Sequence, residues 1–299
     1  MEDLYSHLAL KELGIDENKF TGKNKKSIAL GMNLEEHACA FLQDKFIEKQ
    51  NYRIFAEKFA QAISGDGNEL LKMNAVKSSS LCSLLFFYNV NNDKEHSLTI
   101  YGKTYTKSYF EYKNKVYKNP SNMDVVLTND EGDILFIECK FSEYLEHDKP
   151  EISSTYFTNE QSKHIMSKLI ESGMLKEIGK NKYEARYENN PIYATGLKQI
   201  VAHYIGVNYF KNKQYYKCDY YDDRNNIQTI NNQKVRFVEV LFDLGKELVD
   251  YRNASDYLIN NIINGQETFL SSITYQEILR QNKDYKLDEN VKTFYKYIY

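Results

Sequence analysis

The feature that most constrains the fold is a pair of β-rich runs joined by a short turn. Met123–Thr128 and Asp133–Phe141 flank the triplet Asp130-Glu131-Gly132, whose glycine can take the left-handed conformation of a bulged hairpin turn. After Asp133, the second run is apolar on both faces apart from two charged residues, Glu138 and Lys140. Because a strand of this kind is normally central and buried, we expect a sheet built around this hairpin.

The charged residues of the hairpin fall on one face. If Asn129 pairs with Asp133, Asp124 lies directly opposite Glu138, and Lys140 shares their face. Charges in a buried strand are costly unless they are paired or bind a metal. Two opposed carboxylates favour a divalent hard cation, Mg²⁺ above all. The alternative is a strand end in solvent that carries a local ion pair.

The order of elements indicates a mixed α/β or α+β fold. Hydrophobic spacing predicts helices in the first 75 residues and strand-like structure from about residue 81. Further helices are predicted at about 158–172, 193–210, 253–264 and 274–282, with a strand at Lys234–Phe242. We expect a central mixed sheet flanked by helices. We also expect a domain over residues 1–245 and a helical C-terminal extension, residues 246–299, packed on the same domain.

The arrangement Asp124…Glu138-Cys139-Lys140 on a hairpin resembles the PD-(D/E)xK nuclease superfamily. Restriction endonucleases and several recombination and repair nucleases of this superfamily share an α-β-β-β-α-β core, and the predicted element order agrees with it. Met123 stands where the motif has proline, a position that varies in the family. The Ser-rich segment Ser78–Cys82 is similar to a helical segment in an uncharacterised restriction-endonuclease-like branch.

The resemblance implies a Mg²⁺-dependent nuclease of a restriction, defence or repair type, which hydrolyses DNA phosphodiester bonds. Asp124 and Glu138 would hold the metal together with the backbone carbonyl of Cys139, and Mn²⁺ should substitute. Lys140 would orient or deprotonate the attacking water. We expect Asp124→Ala or Lys140→Ala to abolish cleavage with little change in melting temperature. The alternative is an inactive nucleic-acid-binding protein on the same fold.

Supporting residues are expected on the helices and next to the hairpin. Gln199 is similar to a glutamine that braces the site in many members, with Gln161 as its rival. His203, one turn after Gln199, is better explained as a packed, hydrogen-bonded histidine than as a general base. The resemblance also implies a further acid, either Glu35 or Glu111, although each could be an ordinary solvated carboxylate.

A basic stretch precedes the hairpin. Residues 101–119 interleave aromatic side chains with one glutamate and five lysines, Lys103, Lys107, Lys113, Lys115 and Lys118. Lysines beside aromatic faces suit a nucleic-acid groove, and a solvated pair of edge strands is the alternative. The formal net charge of the whole chain is −3, so we expect DNA binding to be local and metal-assisted.

The remaining features bear on location and assembly. The four cysteines lie far apart without metal spacing, which suits reduced thiols. No apolar run is long enough to span a bilayer and no secretory signal is visible, so we expect a cytoplasmic protein without a membrane partner. A homodimer is plausible for an enzyme that cuts both DNA strands.

Overall fold

Helices form the first part of the described chain. The computed structural model describes residues 35–65, 69–73, 78–115, 120–145, 152, 160–180, 182–211, 234–265 and 267–296. The helices before the first strand are α1 (Glu35–Phe46), α2 (Tyr52–Ala62), α3 (Glu69–Met73) and α4 (Ser79–Phe87). A single 3₁₀ turn, Lys49–Asn51, joins α1 to α2. The helical prediction for this part of the chain is therefore confirmed in α1 and α2.

Helix α4 corrects one expectation. The strand-like structure expected from about residue 81 is wrong, because residues 79–87 are helical and the side chain of Ser78 caps them by accepting a hydrogen bond from the Leu81 amide. Every residue from Ser80 to Phe87 is buried. A helix that is buried all round shows no 3.6-residue periodicity, so its apolar run could not be told from a strand.

Strands dominate the next part, as predicted. β1 (Leu98–Ile100) and β2 (Lys103–Tyr105) form an antiparallel hairpin. Its two turn residues, Tyr101 and Gly102, have φ values of 49° and 71°. Positive φ at both central residues matches the twist of a two-residue hairpin. β3 (Lys107–Lys115) follows.

The hairpin strands of the sequence pattern are both present. They are β4 (Pro120–Thr128) and β5 (Ile134–Lys140), and all residues of β5 are buried. Gly132, in the turn between them, has a φ of 83°, as its predicted left-handed conformation requires.

The later elements include a small sheet that the sequence pattern did not predict. They are α5 (Glu160–Glu171), β6 (Leu175–Gly179), β7 (Lys182–Tyr187), β8 (Asn190–Pro191), α6 (Ala194–Lys211), β9 (Val235–Leu241), α7 (Lys246–Tyr257), a π-helical turn (Leu258–Ile263), β10 (Ile273–Thr274), α8 (Tyr275–Gln281) and α9 (Glu289–Lys296). β6, β7 and β8 pair with one another in a sheet of three strands. Most of their residues are partly or fully exposed, so they lack the apolar alternation by which strands are recognised.

The main sheet has five strands in the order β10-β9-β5-β4-β3, with β5 in the middle. β5 and β9 are parallel and in register, from Ile134 opposite Val235 to Lys140 opposite Leu241. A parallel pair requires a long crossover, and the chain between these strands carries α5, the small sheet and α6. The position of β5 confirms the prediction of a central strand.

The fold class is therefore mixed α/β, with a central mixed sheet and flanking helices, and the chain after β9 is mainly helical. Contacts group the described residues into two units. The first contains residues up to Glu111, Asp124–Glu131 and residues from Thr274 on, and the second contains Tyr112–Met123 and Gly132–Ile273. Residues on both sides of position 245 belong to the second unit, and the predicted domain limits stay a prediction.

Candidate active site

Glu138 and Lys140 lie on β5, the middle strand of the sheet. Their exposed fractions are 3% and 4%, so both charged side chains are buried. Residues two apart on a strand point to the same face, which brings the two side chains together. The alternative of a solvated strand end is wrong for this pair.

Both carboxylate oxygens of Glu138 are hydrogen-bonded. The ammonium group of Lys140 donates to Oε1. Nε2 of His203, on helix α6, lies 2.8 Å from Oε2. Because a buried charge is costly without partners, these two contacts are what allows an ionised carboxylate in the core.

His203 is itself held by Ser121. The Ser121 hydroxyl, on β4, contacts Nδ1 of His203, and both residues are buried. With its proton on Nε2, a neutral imidazole accepts at Nδ1 from the Ser121 hydroxyl, whereas in a protonated ring Nδ1–H donates to that hydroxyl. The histidine ring also packs near Phe237, with 5.4 Å between ring centroids. His203 is the packed, hydrogen-bonded histidine that the sequence pattern predicted.

The surroundings of Glu138 favour its ionised form. Burial alone would raise the pKa of Glu138, but the charge of Lys140, then the charge and hydrogen bond of His203, outweigh it and hold the pKa well below its usual range. Glu138 is therefore a carboxylate at neutral pH, which is the form that can bind a cation.

A second buried acid, Glu239, lies beside Glu138. The two residues are register partners on β9 and β5, and Glu239 is fully buried. Tyr251 donates a hydrogen bond of 2.8 Å to Oε1 of Glu239, and Ser255 donates one of 2.6 Å to Oε2. Burial nevertheless raises the pKa of Glu239, partly offset by these hydrogen bonds and by the charge of Lys140.

Asp124 lies in the first unit, in the neighbourhood of another lysine. Lys72, on α3, donates a hydrogen bond of 2.5 Å to Glu69. Burial alone would lower the pKa of Lys72, but Glu69, and then the charges of Glu111 and Asp124, raise it. Glu35 and Glu111 are the two acids proposed to assist the site. Glu111 and Asp124 both lie close enough to Lys72 for their charges to act on it.

Gly65 permits the close approach of two of these acids. A Cβ atom at Gly65 would lie 2.6 Å from Cγ of Glu69 and 2.7 Å from Oε2 of Glu111. Any other residue at position 65 would displace one of these side chains. Glu111 is buried and has an unusual backbone for a non-glycine residue, with a φ of 51°.

Gln199 lies on α6, one turn before His203. Its Oε1 atom is buried and has no hydrogen-bond partner among the described residues. The supporting role of Gln199 stays a prediction. Cys139 is a buried cysteine between Glu138 and Lys140, and metal binding by its backbone carbonyl also stays a prediction.

Several expected residues lie partly or wholly outside the described part of the chain. Glu35 begins α1 and Gln161 lies in α5, but neither side chain is described. The same holds for the side chain of Lys115 on β3, and Lys118 lies outside the described residues altogether. The roles expected of these residues stay predictions.

The three remaining lysines of the basic stretch lie on strands. Lys103 and Lys113 are partly buried, whereas the side chain of Lys107 is 53% exposed. Lys107 forms an exposed ion pair of 2.6 Å with Asp130, which offsets its charge. A role of these lysines in nucleic-acid binding stays a prediction.

Sequence reasoning missed three residues that the structure places beside the predicted ones. Glu239 could have been found, since it is a single acid in an apolar strand and the argument used for Glu138 applies to it. Ser121 acquires its partner only through tertiary packing, and the contact of Glu69 with Lys72, three residues away, is a common helical pair that does not mark a site.

Comparisons with known proteins add no assignment. No family model matches the chain, and no curated protein or solved structure is significantly similar to it. Within the described residues, no cluster of three or more histidine, cysteine, aspartate or glutamate side chains is arranged to hold a metal ion. No helix in the described part of the chain is both long enough and apolar enough to cross a membrane.

Proposed function

We propose that this protein is a Mg²⁺-dependent nuclease that hydrolyses DNA phosphodiester bonds. The observation that carries the proposal is the buried, hydrogen-bonded pair Glu138 and Lys140 on the middle strand of a mixed sheet. A buried acid and amine two residues apart are expensive to maintain, which favours a chemical role.

The proposal includes a restriction-endonuclease-like core. Its support is the order of elements. The strands β3, β4 and β5 come after α4 and the β1–β2 hairpin, and α5, the small sheet and α6 come between β5 and β9. The parallel pairing of β9 with β5 is part of the same argument.

A hard divalent cation bound at Glu138 is part of the proposal. Mg²⁺ is usually bound by one or two carboxylates while waters and substrate phosphate complete its shell, so a site does not require three protein ligands. Glu138 supplies an ionised carboxylate. The sequence pattern assigns Asp124 and the Cys139 carbonyl to metal binding as well, and substitution of Asp124 is a separate test.

The chain's own residues would contribute charge and orientation. A bound divalent cation would polarise the phosphodiester and make water a better nucleophile. Lys140 would orient that water and stabilise the negative charge that develops on the phosphate. His203 would hold the carboxylate of Glu138 in place.

DNA is the proposed substrate because of the basic, aromatic stretch before the hairpin. The resemblance to the PD-(D/E)xK superfamily implies a restriction, defence or repair role, and a cytoplasmic location is also part of the proposal. A homodimer is also part of the proposal, and light scattering on the purified protein tests it.

A second candidate function is DNA binding without catalysis. The observation that favours it is that both oxygens of Glu138 are already engaged, by Lys140 and by His203. In an inactive relative of a nuclease, such a closed ion-pair network would simply be a stable core.

Cleavage assays distinguish the two candidates. Plasmid and single-stranded DNA are incubated with the protein in Mg²⁺, Mn²⁺ or EDTA, and the variants Asp124→Ala and Lys140→Ala are compared with wild type. The nuclease requires cleavage in Mg²⁺ and Mn²⁺, none in EDTA, and loss of activity in both variants. DNA binding without cleavage in either metal would support the second candidate.

The burial of Lys140 changes one expectation about these variants. Removing one partner of a buried ion pair leaves an uncompensated charge, so Lys140→Ala should lower the melting temperature as well as the activity. Each variant is therefore assayed below its own melting temperature.

A further inference from the structure

Lys140 and His203 contact different oxygens of Glu138, and this difference gives them different roles. We propose that His203, positioned by Ser121, holds Oε2 of Glu138 permanently, whereas Lys140 is an internal cation that must leave Oε1 before a divalent cation binds there. This inference rests on the proposed metal-binding function and says how metal binding and the catalytic lysine are coupled.

Lys140 is the partner that competes with a metal. Its ammonium group donates to Oε1, the oxygen that would bind a metal. Two cations bound to one carboxylate oxygen repel each other strongly in a buried site. Because the lysine side chain is a flexible four-carbon stem, it can move aside without a change in the backbone of β5.

His203 is the partner that can stay. It contacts the other oxygen, Oε2, at 2.8 Å. Because this hydrogen bond is to the oxygen that Lys140 does not contact, it need not break when a metal takes Oε1. The ring is buried, packs near Phe237 and is held at its second nitrogen by Ser121. Hydrogen bonds of this kind orient a carboxylate that binds a metal.

Glu239 gives Lys140 a second acidic neighbour after it leaves Oε1. Glu239 is the register partner of Glu138, and the charge of Lys140 acts on it. A released ammonium group therefore stays near two acidic side chains and is no longer bound to Oε1. Metal binding at Oε1 and the release of Lys140 from that oxygen would then occur together.

Metal titrations test the inference, with isothermal titration calorimetry and thermal shift as readouts. Lys140→Gln removes the charge but can still donate to Oε1, and it should bind Mg²⁺ at least about tenfold more tightly than wild type. His203→Leu and Ser121→Ala should bind it more weakly, His203→Leu by roughly 10- to 100-fold. His203→Gln, whose amide can donate to Oε2, should recover part of that loss.

The matched control is Lys198→Gln. Lys198, on α6 in the same unit, is partly buried and forms no ion pair with any described residue. Its substitution changes the net charge by the same amount, and it should leave the Mg²⁺ affinity unchanged.

Each combination of results either supports or overturns the inference. Tighter Mg²⁺ binding by Lys140→Gln, together with weaker binding by His203→Leu, supports the inference, even if wild type cleaves no DNA and the proposed nuclease activity fails. Cleavage by wild type combined with unchanged or weaker Mg²⁺ binding by Lys140→Gln overturns the inference and leaves the proposed function standing. Absence of Mg²⁺ binding in wild type and all variants overturns both. If Lys140→Gln does not fold, Lys140→Met takes its place, and the His203 pair tests the other half.

Discussion

Glu138 and Glu239 are register partners in the parallel pair of β5 and β9, and both carboxyl groups are buried. Their pKa values nevertheless shift in opposite directions. Burial alone would raise both, but Lys140 and His203 hold the pKa of Glu138 down, whereas burial keeps the pKa of Glu239 raised. The difference lies in the partners, because Glu138 contacts an ammonium group and an imidazole, and Glu239 contacts two neutral hydroxyls.

The raised pKa of Glu239 predicts a pH-dependent effect of Glu239→Gln. The folded state binds the Glu239 proton more tightly than the unfolded state, so the stability that Glu239 contributes is present at low pH and is lost as the pH rises through the folded pKa. Glutamine cannot ionise and can still accept from Tyr251. We therefore expect the melting temperature of Glu239→Gln to exceed that of wild type at pH 8 by more than at pH 4.

Glu138 provides the opposite comparison. Its lowered pKa contributes stability that is present above the unfolded pKa and is lost as the pH falls through the folded one. Glu138→Gln should therefore lose stability relative to wild type at pH 7, and the loss should shrink in acid. A Glu239→Gln variant with the same profile as Glu138→Gln would contradict the assignment of opposite shifts.

Gly196 should be intolerant of a side chain because of Tyr251. A Cβ atom at Gly196 would lie 2.3 Å from the hydroxyl oxygen of Tyr251 and 2.7 Å from the ring of Tyr193. We expect Gly196→Ala to destabilise the protein by about 1–3 kcal/mol, measured by urea unfolding, because the tyrosines are packed and cannot move freely.

A double-mutant cycle identifies the cause of that loss. Tyr251→Phe removes the hydroxyl oxygen that the new Cβ would strike, so Gly196→Ala should cost less in the Tyr251→Phe background than in wild type. Additive free energies would show that the hydroxyl contact is not responsible.

Asp288 should be a strong stabilising residue in the first unit. Its buried carboxylate accepts hydrogen bonds from the hydroxyl of Tyr88, from the Glu48 amide at 2.8 Å and from Asn51 at 3.2 Å. Asp288→Ala leaves these donors without their acceptor, and we expect a loss of about 2–4 kcal/mol in the free energy of unfolding.

An exposed aspartate is the control for Asp288. Asp284 pairs with Lys94 at 2.9 Å on the surface. Because exposed ion pairs contribute little, Asp284→Ala should leave the urea midpoint unchanged within error. Equal losses for the two variants would mean that burial of Asp288 has no special importance.

The ion pair between Lys107 and Asp130 predicts an effect on DNA affinity. Asp130→Asn removes the exposed carboxylate that neutralises Lys107. If the basic stretch contacts phosphates, this variant should bind DNA more tightly. The slope of log K against log salt should become steeper, by an amount that corresponds to roughly one additional released counterion. Fluorescence anisotropy at several salt concentrations measures both quantities.

Asp284→Asn is the matched control for this experiment, because it makes the same change in charge outside the basic stretch. If Asp284→Asn strengthens binding as much as Asp130→Asn does, the effect reflects net charge rather than Lys107.

Much of the fold could be predicted from local patterns. The turn glycine at 132 and the strands on either side of it follow from the local turn and strand pattern. The central position of β5 follows from side chains that are apolar on both of its faces. Helix α4 could not be recognised, because its burial on all sides removes the periodicity that marks a helix. The small sheet of β6, β7 and β8 was missed for the opposite reason, since few of its residues are buried.

Glu138 and Lys140 were singled out by the sequence alone, because two charges in an apolar strand violate the rule for a core. The identity of their partners was decided only by the tertiary structure. Ser121 is 82 residues from His203, and His203 is 65 residues from Glu138. Contacts at such separations depend on how β4, β5 and α6 pack, and local spacing carries no information about that packing. The sequence determined which charges needed an explanation, and the packing of these elements determined which groups satisfy them.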